Sequence, residues 1–282
     1  MEFENIATQT FIPDGKAIDE AIERTTHMSI AAHQDDIEIM AHDGILKCFG
    51  QKDKWFMGVV VTNGSGSPRD DLYGAYTDEQ MQQIRKEEQK KAAFVGEYSA
   101  QVLLDYPSSA VKDTENKEVI EAFKQLIIKA NPKVLYTHNL ADKHDTHVAV
   151  TMKVIAALRQ LPKEIRPQKV YGCEVWRGLD WMCDEDKEKF DVAAHPNLAP
   201  ALLGVFDSQI CGGKRYDLAT IGRRLANATY AESHGTDDTT ALSYAMDLTP
   251  LINDETLDIK VYVSAYIQRF NEDVVGRIEK FI

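Results

Sequence analysis

Short apolar runs alternate along the chain with longer stretches in which apolar residues recur every three or four positions. MSIAA at 28–32, WFMGVVV at 55–61, QVLL at 101–104, KVLYT at 133–137 and KVYGCEV at 169–175 have the length and the branched or aromatic content of strands. Between them, Ile37–Phe49, Asp78–Glu97, Lys117–Ala130 and Thr146–Leu161 carry helical spacing. This alternation predicts an α/β, Rossmann-like fold with a mostly parallel sheet flanked by helices. Val59, Val60 and Val61 follow one another without polar alternation, as a central strand buried on both faces requires. Past Cys183 the pattern blurs into expected helices over Asn197–Gln209 and Tyr216–Glu232, a Thr- and Asp-rich stretch at Thr236–Thr240, and carboxy-terminal helices from about Glu255. There the i, i+4 stripe Phe270, Val274, Ile278, Ile282 predicts packing into a core. With no linker, repeat or low-complexity tract, the expectation is one domain over 1–282.

Composition narrows the class. Hydrophobic residues at 44% and charged residues at 27% exclude wholesale disorder and fibrous repeats. The longest stretch without Asp, Glu, Lys or Arg is 15 residues, Val192–Phe206; it holds two prolines and falls short of the roughly 20 apolar residues of a membrane helix. No membrane span is expected. The start MEFENIATQT carries two acids and no basic segment, so neither a signal nor a transit peptide is expected and a cytoplasmic location is the default. Cys48, Cys173, Cys183 and Cys211 form no CxxC pair and read as buried thiols in a reducing compartment. Forty-five acids against 32 bases give a net charge of −13, which repels phosphate backbones, so nucleic acid is not an expected partner. The basic cluster Arg85–Lys91 alternates with Glu87 and Glu88 and reads as a solvated helix face.

Candidate chemistry concentrates in two loops. The first expected strand runs into His33, Gln34, Asp35, Asp36, Ile37 and Glu38, and the fourth is followed by His138, Asp142, His144, Asp145 and His147 within ten residues. Ligands of open parallel sheets bind outside the carboxyl ends of the strands, so both loops should open onto one groove. A divalent metal would hold these imidazoles and carboxylates together. Zinc takes nitrogen and carboxylate oxygen, and a catalytic zinc keeps three protein ligands and one open position. Taken alone, Asp35 and Asp36 read better as caps of the helix from Ile37 than as metal chemistry; two such loops together shift the reading to the metal.

AHQDDIE at 32–38 resembles the AHPDDE signature of the PIG-L/LmbE-type zinc-dependent N-deacetylases, which act on N-acetylglucosamine-containing substrates. HDTH at 144–147 resembles that family's HPDH motif, and Asp142 matches the acid shortly before it. VVVTNGSGSPR at 59–69 is similar to the family's second strand and glycine-rich loop, Arg85 and Glu88 match an arginine and a glutamate on the next helix, and SQ at 208–209 and AES at 231–233 are similar to late patterns, so the likeness covers about 28–233. The resemblance implies an LmbE-like fold in which His33, Asp36 and His147 ligate Zn2+, Asp35 is the general base, and His144 stabilises the oxyanion formed when water attacks an N-acetyl amide. Two histidines and an aspartate would also accept iron or cobalt. Gln34 stands where the family has proline, and Thr146 where it has aspartate; if that aspartate orients His144, then Asp142 or Asp145 must do so here.

Substrate contacts are expected from Arg85, from Asn63 in the loop after the second strand, and from Trp176 and Arg177 after the fifth. His42 reads as a satisfied interior histidine, and His27, His195 and His234 have no partner at ligand spacing. The expected partner is a small-molecule N-acyl amino sugar or glycoside, cleaved to acetate and a free amine, with a homo-oligomer compatible with the sequence. Two other readings compete. One is a zinc amidase acting on another acylated amine, such as a thiol conjugate. The other is a non-catalytic zinc-dependent carbohydrate-binding protein, against which the presence of Asp35 argues.

Overall fold

The computed structural model describes residues 10–282. The first nine residues, part of the stretch in which no targeting signal is expected, lie outside the described residues. Eight strands form one sheet: β1 (Thr10–Phe11), β2 (His27–Ala31), β3 (Phe56–Thr62), β4 (Ala100–Tyr106), β5 (Val134–His138), β6 (Lys169–Cys173), β7 (Glu188–Asp191) and β8 (Leu242–Asp247), ordered β1-β4-β3-β2-β5-β6-β8-β7. The strands β4, β3, β2, β5 and β6 run parallel and are the five expected from the apolar runs. The edge strands β1 and β7, and β8 between β6 and β7, pair antiparallel.

Every residue of β2 and β3 is buried because apolar helix faces cover both sides of the sheet. Val59 and Val61 join one cluster, with Phe123, Leu126, Val150 and Val154 from the helices Glu118–Ala130 and Asp145–Gln160. Val60 joins the other, with Ile37, Ile45, Ala92 and Phe206. Each fully buried Val, Ile or Leu contributes about 1.5–3 kcal/mol, which is why these runs select the sheet centre. The chain proceeds from β2 outward through β3 to β4, then returns to place β5 on the other side of β2. The order therefore reverses between β2 and β5, the switch point at which doubly wound sheets open a crevice.

Several expectations change in the structure. Ile37–Phe49 is two helices, Asp36–Met40 and His42–Cys48, interrupted at Ala41. Asn197–Gln209 likewise splits into Leu198–Gly204 and Asp207–Ile210. The long helix Ile259–Glu279 contains no buried residue: Ile259, Tyr262, Val263 and Tyr266 pack on the core, whereas Val274, Ile278 and Ile282 are 39%, 55% and 97% exposed. The stripe Phe270–Ile282 thus does not pack into a core, since the helix runs on beyond the surface that its first turns cover. Cys48 and Cys173 are buried, but Cys183 and Cys211 are only partly so, and all four are free. Among the described residues no helix is long and apolar enough to cross a membrane.

Candidate metal centre

The two chemistry-bearing loops meet at the switch point. His33 lies two residues past β2, and His138 closes β5. His33 Nδ1 is 3.1 Å from Asp36 Oδ2 and 3.1 Å from His147 Nε2, and His147 Nε2 is 3.3 Å from Asp36 Oδ2. Metal–ligand bonds of 2.0–2.1 Å in a tetrahedral site imply ligand atoms about 3.3–3.4 Å apart, so these three donors have the spacing that one ion needs. Two overlapping groups, His33 with His144 and His147, and Asp36 with His138 and His147, form a His/Asp cluster able to hold a metal.

Charge supports the fit. Burial opposes ionisation of Asp36, but the fields of His147 and His138 and hydrogen bonds from His147 and His33 hold it well below the ordinary carboxylate range. Burial likewise opposes a charged His147, yet Asp36 and Asp142 overcome it and raise His147 to about 9. Two buried carboxylates thus draw positive charge to the position between them, where a cation would be favoured.

Neither aspartate caps the following helix. Asp36 Oδ2 accepts the His33 backbone N–H at 2.7 Å, and Asp35, the residue before the helix, makes no side-chain cap. Asp35 instead sits at φ 91°, a region costly for any residue but glycine and held here by surrounding contacts. Its backbone N–H donates to Gln89 Oε1 at 3.2 Å, and its Oδ1 lies 3.8 Å from Arg85 Nη2. Burial raises the Asp35 carboxyl well above the carboxylate range, with Arg85 working against that rise. Beneath it, Glu38 accepts from Tyr98 Oη at 2.7 Å and Gln89 Nε2 at 2.9 Å, and burial pushes Glu38 up to about 7.

The second loop supplies orientation. Asp142 Oδ2 faces His147 Nδ1 at 3.3 Å and accepts from Val175 N at 3.1 Å, while Oδ1 accepts from His144 N at 3.1 Å. Asp142 therefore fixes the His147 ring, the partner arrangement typical of a ligating histidine. His144 has neither acid behind its ring: its Nδ1 accepts from Thr146 N at 3.3 Å, which leaves the proton on Nε2, and Asp145 is exposed. The expectation that Asp142 or Asp145 orients His144 through its side chain gives way to a backbone donor. His138 Nε2 accepts from Ala32 N at 2.8 Å while its ring stacks on His147 at 3.8 Å, so it buttresses the cluster.

A cleft of about 410 Å3 opens over the cluster, lined by His33, Asp35, Asp36, His144, His147 and Arg85 among others. Arg85 is only 4% exposed; it donates to Gln34 O at 2.7 Å and to Ser67 Oγ, clamping two loops. Arg85, Glu88 and Gln89 are all buried, so that helix face is not solvated as its charges suggested. Gln34, the residue in place of proline, donates to Thr62 O at 3.0 Å. Trp176 walls the cleft with Tyr216, edge to face at 5.9 Å. Asn63 and Arg177 do not line it: Asn63 Oδ1 accepts from Ser65 N to make a turn, and Arg177 is exposed in a separate crevice. His42 is buried, but both ring nitrogens lack partners, so it is interior without being satisfied. The sequence reading missed Tyr216, Lys214 and Lys112 as cleft residues; no spacing signal marks them, because they reach the cleft from separate segments.

A Rossmann-like sheet with a buried His/Asp cluster and a cleft at its switch point defines an α/β protein with a candidate metal centre. Residues 28–158 match the model of the PIG-L family, GlcNAc-PI de-N-acetylase. Its fold is shared with N,N'-diacetylchitobiose deacetylase from Pyrococcus horikoshii (14% identity, 88% of this chain and 93% of that chain, TM-score 0.62). The A40926 pseudoaglycone deacetylase Dbv21 is also similar (15% identity, 79% and 97% coverage, TM-score 0.57). So is GalB, the 4-carboxy-2-hydroxymuconate hydratase from Pseudomonas putida KT2440 (15% identity, 79% and 96% coverage, TM-score 0.62). A hydratase and deacetylases share this fold, so the fold alone does not select the reaction. No curated protein sequence matches the chain.

Proposed function

We propose that this protein is a metal-dependent N-deacetylase that hydrolyses the N-acetyl amide of an amino sugar or glycoside, acting as one domain. The reading is carried by one observation: three donors at single-ion spacing stand beside a fourth group, Asp35, that is near the cluster and free of it. His33, Asp36 and His147 would hold the ion, with zinc favoured by two imidazoles and a carboxylate and iron or cobalt accepted by the same donors. When bound, such an ion supplies Lewis acidity, easing loss of a proton from water and polarising the acyl carbonyl. Asp35, buried and of raised basicity, takes the proton of the attacking water and passes it to the departing amine nitrogen. His144 donates Nε2–H to the acyl oxygen as negative charge develops there. Trp176 and Tyr216 offer ring faces and edges to the apolar surface of a sugar. The cytoplasm remains the proposed location.

The test pairs metal content with acetate release from a panel of N-acetyl sugars. Asp35→Ala should keep its metal and lose about 10²–10⁴-fold in turnover, the usual worth of a general base. His147→Ala should lose both. Equal acetate release by the wild type and Asp35→Ala would overturn the assignment, and acetate from other acyl amines alone would move the substrate class.

A further inference from the structure

Among the described residues that line the cleft, Asp35 is the only one other than glycine with a positive φ. A side chain in that region is strained, and the backbone keeps it only where neighbouring groups over-determine the conformation. Both ends of Asp35 are tied. Its C=O accepts from Ile39 N at 3.2 Å, the opening bond of the helix that follows, and its N–H donates to Gln89 Oε1 at 3.2 Å. Gln89 belongs to the helix Asp78–Val95, 54 residues away along the chain.

The Gln89 carboxamide is fully buried and has one orientation open to it. Its Nε2 donates to Glu38 Oε1 at 2.9 Å and to Gln101 Oε1 at 3.3 Å. Glu38 Oε1 also accepts the Tyr98 hydroxyl at 2.7 Å, and Gln101 Nε2 is committed to Val102 O at 3.0 Å, so both neighbours present acceptors to Gln89. A flipped amide would set its oxygen against those two acceptors and its NH2 against the Asp35 N–H, leaving buried groups unpaired on both sides. Oε1 therefore faces Asp35. The room for this arrangement comes from Gly58 on β3, where a Cβ would lie 2.4 Å from Gln101 Oε1. Among the described residues Gln89 makes no hydrogen bond to His33, Asp36 or His147, and Asp35 is the one group of this network that lines the cleft.

We propose that Gln89 is a positioning residue: it clamps the strained backbone of Asp35, and so places the carboxyl that acts as base, in an orientation imposed from below by Glu38 and Gln101. The catalytic part of this inference rests on the deacetylase reading; the backbone clamp does not.

Gln89→Met keeps an unbranched side chain of similar length and removes the acceptor. In the full metal-loaded chain its kcat for acetate release from an N-acetyl sugar should fall about 10–100-fold with KM within about twofold of wild type, the scale of a catalytic group displaced by up to about 1 Å. In an Asp35→Ala background the same change should have no further effect, because a residue that acts through Asp35 then has nothing to place. Zinc content should match the wild type in both backgrounds. An equal fall in both backgrounds marks a merely structural role and overturns the proposal, as does an unchanged kcat or loss of zinc from Gln89→Met. Amide hydrogen exchange reads the clamp without turnover. The Asp35 N–H should be protected in the wild type and exchange about tenfold faster in Gln89→Met, with the Ile39 N–H little changed. Unprotected exchange of the Asp35 N–H in the wild type overturns the clamp, and this measurement stands even where Gln89→Met does not fold. Protection that depends on Gln89, in a wild type that releases no acetate from any N-acetyl amine, would support the clamp and refute the deacetylase reading.

Discussion

Asp142→Asn removes one negative charge and almost no volume, at the residue that ties the second loop of the centre to the end of β6. In the native protein Oδ1 accepts from His144 N, while Oδ2 accepts from Val175 N and faces His147 Nδ1. An amide accepts through one atom only, so whichever way it turns, His144 N–H or Val175 N–H meets an NH2 donor. A buried donor stranded in this way costs about 1–3 kcal/mol. With an unfolding entropy of about 0.6 kcal/mol/K for 282 residues, Tm should fall by about 2–5 °C. His147 also loses the carboxylate that orients its ring, and partners of that kind are worth about 10–100-fold in metal affinity. Scanning calorimetry reads the first effect, and competition of zinc against a chelating dye the second. A variant that melts with the wild type and binds zinc with wild-type affinity would refute the positioning role.

Gly64 has φ +74°, and a Cβ there would lie 2.5 Å from Gln34 Oε1, so Gly64→Ala should cost at least about 1–2 kcal/mol and raise KM by displacing the loop that Arg85 clamps; an unchanged melting curve would contradict this. Glu88 accepts from Ser208 N at 2.7 Å and Oγ at 2.6 Å, so Glu88→Ala should destabilise by about 1–3 kcal/mol and Glu88→Gln, which keeps one acceptor, by less, as read by urea unfolding. His27 is held neutral by burial, aided by Lys47, Lys54 and Lys133, with its pKa lowered from 6.5 to about 4. Because the unfolded chain binds that proton more readily, stability from His27 is complete above pH 6.5 and drains away as pH falls through 4, by up to about 3 kcal/mol. His27→Gln should flatten urea midpoints across that window, and an unaltered slope would exclude His27 as the source.

Much of the centre is legible in one dimension because its parts are local. His33, Asp35 and Asp36 lie within four residues, and His144 and His147 share one helix start, so two motifs following two expected strands suffice to name them. Glu88 and the Ser208–Gln209 pair were legible as separate marks, but not as the contact they make across 120 residues. Charge pattern misled at Arg85, Glu88 and Gln89: polar residues normally face water, and here a buried polar network beneath the cleft outweighs that tendency. The stripe Phe270–Ile282 misled in the opposite sense, since helical periodicity shows that a face is apolar without showing what lies opposite it.

Local chemistry along the chain determined the parallel core. Branched apolar runs can be buried only at the centre of a sheet covered on both faces, and that requirement is met by each run independently of the others. It also marked the candidate donors, because the imidazole and carboxylate side chains that could hold an ion follow two strand ends. Only the folded chain decided that β2 and β5 lie side by side, which brings Asp36 and His147 within 3.3 Å. Only the fold set Thr146 N rather than a carboxylate behind His144, and turned Arg177 away from the cleft toward Arg224. The antiparallel strands β7 and β8 were likewise invisible in the sequence: they are half-buried and short, and the sheet that completes them is built from residues far away along the chain.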